Sequence, residues 1–209
     1  IMEPSERQRP KHDSAYKYLF SSKPVFHQFL TRFVDEECAR DLSPEDIERV
    51  DKSFVSEELL ERESDVIYRV RTGRRDVYVY VLIEFQSTVD KSIPVRMLLY
   101  ILQLYDQVYR SSRRGKLPAV FPVLLYNGSK RWTVPGNIRG LIEPVIPAKY
   151  IPSFEYYAVV ERDIPDQVLK RLKGLMSAII YLEKRDERES LGKALDTAIE
   201  LIAEERPEQ

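Results

Sequence analysis

Two acidic residues and a glutamine mark the ends of neighbouring apolar runs: Asp65 opens DVIYRV, and Glu84 and Gln86 close VYVYVLIEFQ. In extended chain, side chains alternate between faces, so Val77, Val79, Val81, Ile83 and Phe85 share one face while Tyr78, Tyr80, Leu82, Glu84 and Gln86 share the other. Thr72-Gly73-Arg74-Arg75 between the runs reads as a turn. A turn centred on Gly73-Arg74 pairs residue 71 with residue 76, and the same register sets Asp65 opposite Leu82, one pleat from Glu84. Two carboxylates at one end of a packed hairpin repel each other unless they share a proton or a cation neutralises them. Mg2+, or another divalent ion such as Mn2+ or Ca2+, suits such a pair. It is held by one or two carboxylates and takes its remaining ligands from water and substrate phosphates. It can then activate water against a phosphate ester. The bland alternative is solvated acids, or acids paired with Arg69 or Arg96. Against it, EFQ closes a strand that is otherwise apolar on both faces, where polar residues need a reason.

Charge distribution points the same way. Residues 69–150 hold fourteen Lys and Arg against five acids, a balance of +9 that leaves −10 for the rest of a chain with net charge −1. The basic stretch surrounds the acidic pair, as a seat for a phosphate backbone requires. A near-neutral total excludes a uniformly basic protein.

The elements that must position these residues are legible in outline. Residues 1–11 are polar and read as a disordered lead, and residues 12–205 as a single domain. Ser22 before Pro24 is a helix start, followed by Val25, Phe26, Phe29, Leu30 and Phe33 at helical spacing, and the N-terminal third is expected to be mainly helical. The hairpin spans the runs from Asp65 to Gln86. Pro94 opens an amphipathic helix reaching about Tyr109, through Val95, Leu98, Leu99, Leu102 and Tyr105. A buried strand follows in AVFPVLLY, ended by Asn127-Gly128. Pro135, Pro144, Pro147 and Pro152 predict loops and short pieces over 132–152. Strand character returns at YYAVVE. Val168 to Ile180 mark one amphipathic helix, and residues 191–203 a second. This order predicts an α/β fold with a mixed central sheet containing a hairpin, flanked by helices.

With these residues in place, the chain resembles the recombination-promoting nuclease (Rpn) family, whose members are also described as transposases, in the PD-(D/E)XK nuclease superfamily. The resemblance rests on HDSAYKYLF at 12–20, ESDVIYRV at 63–70, VLIEFQSTVD at 81–90, PVRMLLY at 94–100 and PVLLYNG at 122–128, in that order. It implies a restriction-endonuclease-like core that cleaves DNA with Mg2+ and can promote recombination. By the same resemblance Asp65 is the first acid of the motif, Glu84 the second, and Gln86 stands where lysine is usual. Asp13 looks like the additional acid on the first helix. A glutamine amide can orient water but carries no charge. The burden of positive charge therefore shifts to the metal, or to Lys17, Lys91 or Arg96. Tyr100, one helical turn from Arg96, either reaches toward a phosphate with it or braces the sheet.

The remaining residues point less sharply. His12 and His27 read as surface or helix-end residues, and Cys38, beside Glu36 and Glu37, as packing. Trp132 could stack on a base, with core anchoring the safer reading. A single cysteine excludes an intramolecular disulfide framework and, with two histidines, a Cys/His zinc cage. A cytoplasmic protein is expected, with no membrane span. Two functions remain: an active DNA endonuclease, for which cutting both strands would call for a homodimer, and a weak or inactive DNA-binding protein that keeps the fold. A glycosidase built on two carboxylates explains neither the basic segment nor Gln86.

Overall fold

The computed structural model describes residue 16 and residues 18–40, 42–50, 66–72, 75–84, 89–111, 116–185 and 191–203. Asp13, Lys17, Asp65, Gln86, His12, the lead over 1–11 and the turn at Gly73-Arg74 lie outside these residues, as does the side chain of Glu84.

Helix α1 (Lys23–Phe33) starts where expected: Ser22 is extended at its N-cap, with proline in the first turn. Proline fits there because its missing N–H would have no helical acceptor. Strand β1 (Ile47–Arg49) follows two short helical turns and was not foreseen in a stretch expected to be mainly helical. Three residues are too few to display alternation, and Ile47 alone carries the apolar signal.

The hairpin forms in the expected register. Strands β2 (Val66–Thr72) and β3 (Arg75–Glu84) are antiparallel, with Arg71 opposite Asp76 and Val66 opposite Val81. Helix α2 (Ile93–Ser111) crosses from β3 to the parallel strand β4 (Ala119–Tyr126), and β5 (Tyr157–Val160) pairs parallel to β4. The sheet order is β1-β2-β3-β4-β5, antiparallel in its first half and parallel in its second. This is the mixed, helix-flanked sheet of a restriction-endonuclease-like core.

The carboxyl-terminal region departs from the sequence reading at one point. The single helix expected over Val168 to Ile180 is two, α3 (Asp166–Leu172) and α4 (Gly174–Glu183). Between them the backbone turns left-handed at Lys173 (φ 53°) and Gly174 (φ 82°). Apolar spacing survives such a break because the helices pack on the same core. Arg32 of α1 donates to the carbonyls of Leu172 and Lys173 at 3.1 and 2.8 Å, capping the end of α3 from a distant element. Helix α5 (Leu191–Ala203) matches its predicted range.

Alternation divides the core as the pattern requires. Val66, Tyr68, Val70, Val79, Val81, Val123, Leu125 and Val159 pack with α1, α4 and α5. Ile67, Leu124 and Tyr126, with Tyr78 at their margin, pack on the opposite face with Ile93, Met97 and Tyr100 of α2.

Candidate functional site at the carboxyl ends of the parallel strands

Strands β3, β4 and β5 end together: Glu84 pairs with Tyr126, and Tyr126 with Val160. At about 4.8 Å between neighbours, the three ends lie within roughly 10 Å. Open α/β sheets bind ligands at this carboxyl edge. Strand β2 runs the other way and begins here, Val66 standing opposite Val81. Asp65 is joined to Val66 by one peptide, about 3.8 Å between Cα atoms, and Gln86 follows Glu84 by two residues, at most about 7 Å. Asp65 and Gln86 themselves lie outside the described residues.

The proposed donors, two or three carboxylates and an amide, are all oxygen, which fits a hard divalent cation and not a thiolate- or imidazole-seeking one. Among the described residues no three His, Cys, Asp or Glu side chains form a metal-binding group; the expected ligands are outside that set.

The other candidates lie on or before α2. Asp90 organises the start of the helix: its carboxylate accepts from the amide and hydroxyl of Ser92 at 2.8 and 2.7 Å and from Arg96 at 2.9 Å. Burial would raise the Asp90 carboxyl, but the Ser92 and Arg96 hydrogen bonds outweigh it and hold the group below the usual carboxylate range. Arg96 is thus braced, with 22% of its side chain still accessible. Tyr100 is buried in the α2-side cluster, and Lys91 is exposed. Arg69 pairs with Glu48 across β1 and β2. Arg69 and Arg96, the arginines of the bland alternative, each pair with an acid among the described residues.

Beyond β4, the chain is shaped by Tyr126. A Cβ at Gly128 would come within 2.1 Å of the Tyr126 ring, so Asn127-Gly128 admits no larger residue without moving that ring. Trp132 lies against it, ring centroids 4.8 Å apart, and donates its indole N–H to Tyr156 at 3.3 Å; Tyr156 donates in turn to the Pro135 carbonyl at 3.1 Å. Trp132 is therefore a core anchor. His27 bonds the Leu42 carbonyl at 2.7 Å and serves structure. Burial, then Glu36 and Glu37, push the Cys38 thiol up, away from reactivity.

One group went unanticipated. Glu161, directly after β5, is 1% exposed. Its Oε1 accepts from the Tyr16 hydroxyl at 3.1 Å, and Asn127 donates to the same hydroxyl at 3.4 Å. Burial, then the nearby Glu183, push the Glu161 carboxyl well above its ordinary value, although the Tyr16 hydrogen bond and Lys184 oppose this. The available signal was YYAVVE, an apolar run ended by an acid just as VLIE is.

Fold and edge together define a restriction-endonuclease-like α/β protein with an acidic strand end. The chain belongs to the family described as putative transposase, YhgA-like, whose model matches residues 10–209. It is 28% identical over 119 residues to the recombination-promoting nuclease RpnD of Escherichia coli O157:H7, covering 57% of this chain and 46% of that protein. It is 30% identical over 117 residues to RpnA of E. coli K12, also named a recombination-promoting nuclease, covering 56% and 40%. It is 26% identical over 117 residues to an inactive recombination-promoting nuclease-like protein, RpnE of K12, covering 56% and 39%. These matches span less than half the length of the relatives. No solved structure matches the chain. Among the described residues no helix is long and apolar enough to cross a membrane.

Proposed function

We propose that the chain is a metal-dependent DNA endonuclease that hydrolyses phosphodiester bonds and promotes DNA recombination or transposition. The observation that carries the reading is the hairpin register, β2 antiparallel to β3 with Val66 opposite Val81, which supports Asp65 and Glu84 acting together. The names of the relatives support the reaction class. Lys91, Lys116, Lys130, Arg131, Arg139 and Lys149 are all exposed and supply basic surface for a phosphate backbone.

In this mechanism Asp65, Glu84 and Asp13 hold Mg2+ or a similar divalent ion, which when bound lowers the pKa of water and neutralises charge on the phosphate. Gln86 orients the attacking water through its amide. Lys17, Lys91, Arg96 and Tyr100 line the grip on the scissile strand, Arg96 being held by Asp90. Residues 12–205 act as one nuclease unit in the cytoplasm, and cutting both strands of a duplex takes a homodimer. A second reading, DNA binding without cleavage, is supported by Gln86 and by the relatives named inactive.

Supercoiled plasmid with the purified chain and Mg2+ separates the two. Nicking that Asp65→Ala or Glu84→Ala lowers at least about 100-fold, within the range of losing a principal transition-state contact, is expected. Salt-sensitive DNA binding without cleavage in any divalent metal would establish the second reading.

A further inference from the structure

The most deeply buried carboxyl in the described structure stands at the same edge as the proposed nuclease centre, but on the side of the first helical segment. Glu161 follows Val160, Asn127 follows Tyr126, and these two strand ends pair with each other and, through Tyr126, with Glu84. Tyr16, 1% exposed, comes from the helical residues before α1 and reaches both groups. It joins elements 145 residues apart in the chain. In sequence Asp13 and Lys17, both outside the described residues, are three residues and one residue from Tyr16.

We propose that Glu161 is a positioning residue for this edge: by accepting the Tyr16 hydroxyl beside Asn127, it docks the helical residues before α1 against the carboxyl ends of β4 and β5. This rests on the nuclease reading for its consequence, but not for its geometry. The node has no simpler purpose as packing. An apolar pair of similar volume would fill the space without burying a carboxyl whose Oε2 has no hydrogen-bond partner among the described residues. The hydroxyl–carboxyl bond instead fixes direction and distance, which an apolar contact does not. Glu183 faces the same Tyr16 hydroxyl, and Lys184 lies close enough to Glu161 to act on it electrostatically. Lys184 itself is tied to the Ile164 carbonyl and to Asp166, holding this charge at the far side of the node.

Three variants of the full chain test the proposal. Tyr16→Phe and Glu161→Ala break the bond, whereas Glu161→Gln keeps an acceptor oxygen. Amide hydrogen exchange, read without metal or DNA, should quicken at residues 18–22 by at least about tenfold in the first two, with α5 unchanged and Glu161→Gln like the parent. In plasmid cleavage the same two should raise the Mg2+ concentration for half-maximal rate at least fivefold, and Glu161→Gln should restore it. Unchanged exchange in both breaking variants, equal loosening of α5, or loosened exchange with unchanged metal dependence would each overturn the proposal. A parent chain that cuts no DNA, while Tyr16→Phe still loosens residues 18–22, would overturn the nuclease reading and leave the docking bond standing.

Discussion

The two faces of the sheet are built by different means. On one, α1, α4 and α5 close over a cluster in which Phe26 stacks on Tyr68 with ring centroids 3.8 Å apart and Phe20 meets Phe29 edge-on at 5.0 Å. Tyr68, its hydroxyl pushed up to about 12 by burial, donates to the Phe20 carbonyl at 2.7 Å and ties the helical segment to β2. On the other face, among the described residues, helix α2 shares the work with the irregular stretch between β4 and β5. That stretch is held by distant pairings: Ile138 to Phe154 at 3.0 Å, Tyr156 to Gly136 at 3.2 Å, and the Asn137 amide to Glu155 at 2.7 Å. The outward side of α2 stays apolar and open, with Val95, Leu99 and Leu102 each about half exposed. The first face resembles a closed core. The second is a scaffold whose edge holds the polar groups of the candidate site.

Different sensitivities to truncation follow. Phe26→Ala removes a fully buried ring and should cost about 3–5 kcal/mol in denaturant unfolding. Trp132→Ala removes a half-buried ring and one hydrogen bond, and about 2 kcal/mol is expected. A cost for Trp132→Ala equal to or above that for Phe26→Ala would erase the contrast between the faces.

The smallest effect concerns Glu161 and depends on pH. A buried carboxyl with a raised pKa binds its proton more tightly folded than unfolded, so stability falls as pH rises from the ordinary glutamate value toward the folded one. Glu161→Gln removes that dependence. Among the described residues, the groups facing Glu161 are Tyr16, Glu183 and Lys184. Between pH 5 and 6 the variant should gain on the parent by no more than ~1.4 kcal/mol, the limit for one proton. Thermal unfolding at the two pH values reads the difference, and parallel curves would mean that Glu161 titrates normally.

What could be read in advance follows the same division. Alternation in DVIYRV and VYVYVLIE is local, and it carried the hairpin to the correct register because the turn at Thr72–Arg75 leaves little choice. The helix starting at Ser22, the strand AVFPVLLY and the helix over 191–203 were legible for the same reason. The break at Lys173-Gly174 was not, because Arg32, which caps it, lies 140 residues away from Leu172. Nor was the Tyr16–Glu161 bond, since an acid after a strand reads as solvated until its partner from the other end of the chain is known. At the candidate site, the anchoring role of Trp132 was one of two readings, while the Asp90 that holds Arg96 went unread. For Trp132 the structure chose by supplying Tyr126 and Tyr156 as partners.

The central claim is that Asp65, just before β2 in sequence, and Glu84, the last residue of β3, share a metal ion. A crystal of the chain soaked with Mn2+ tests it directly, through the anomalous signal of the ion. The account predicts a single peak in direct contact with the carboxylates of Asp65 and Glu84, at close to the 2.0–2.1 Å typical of Mg2+–oxygen contacts. A peak bound elsewhere, or carboxylates of Asp65 and Glu84 directed to opposite faces of the sheet, would contradict it.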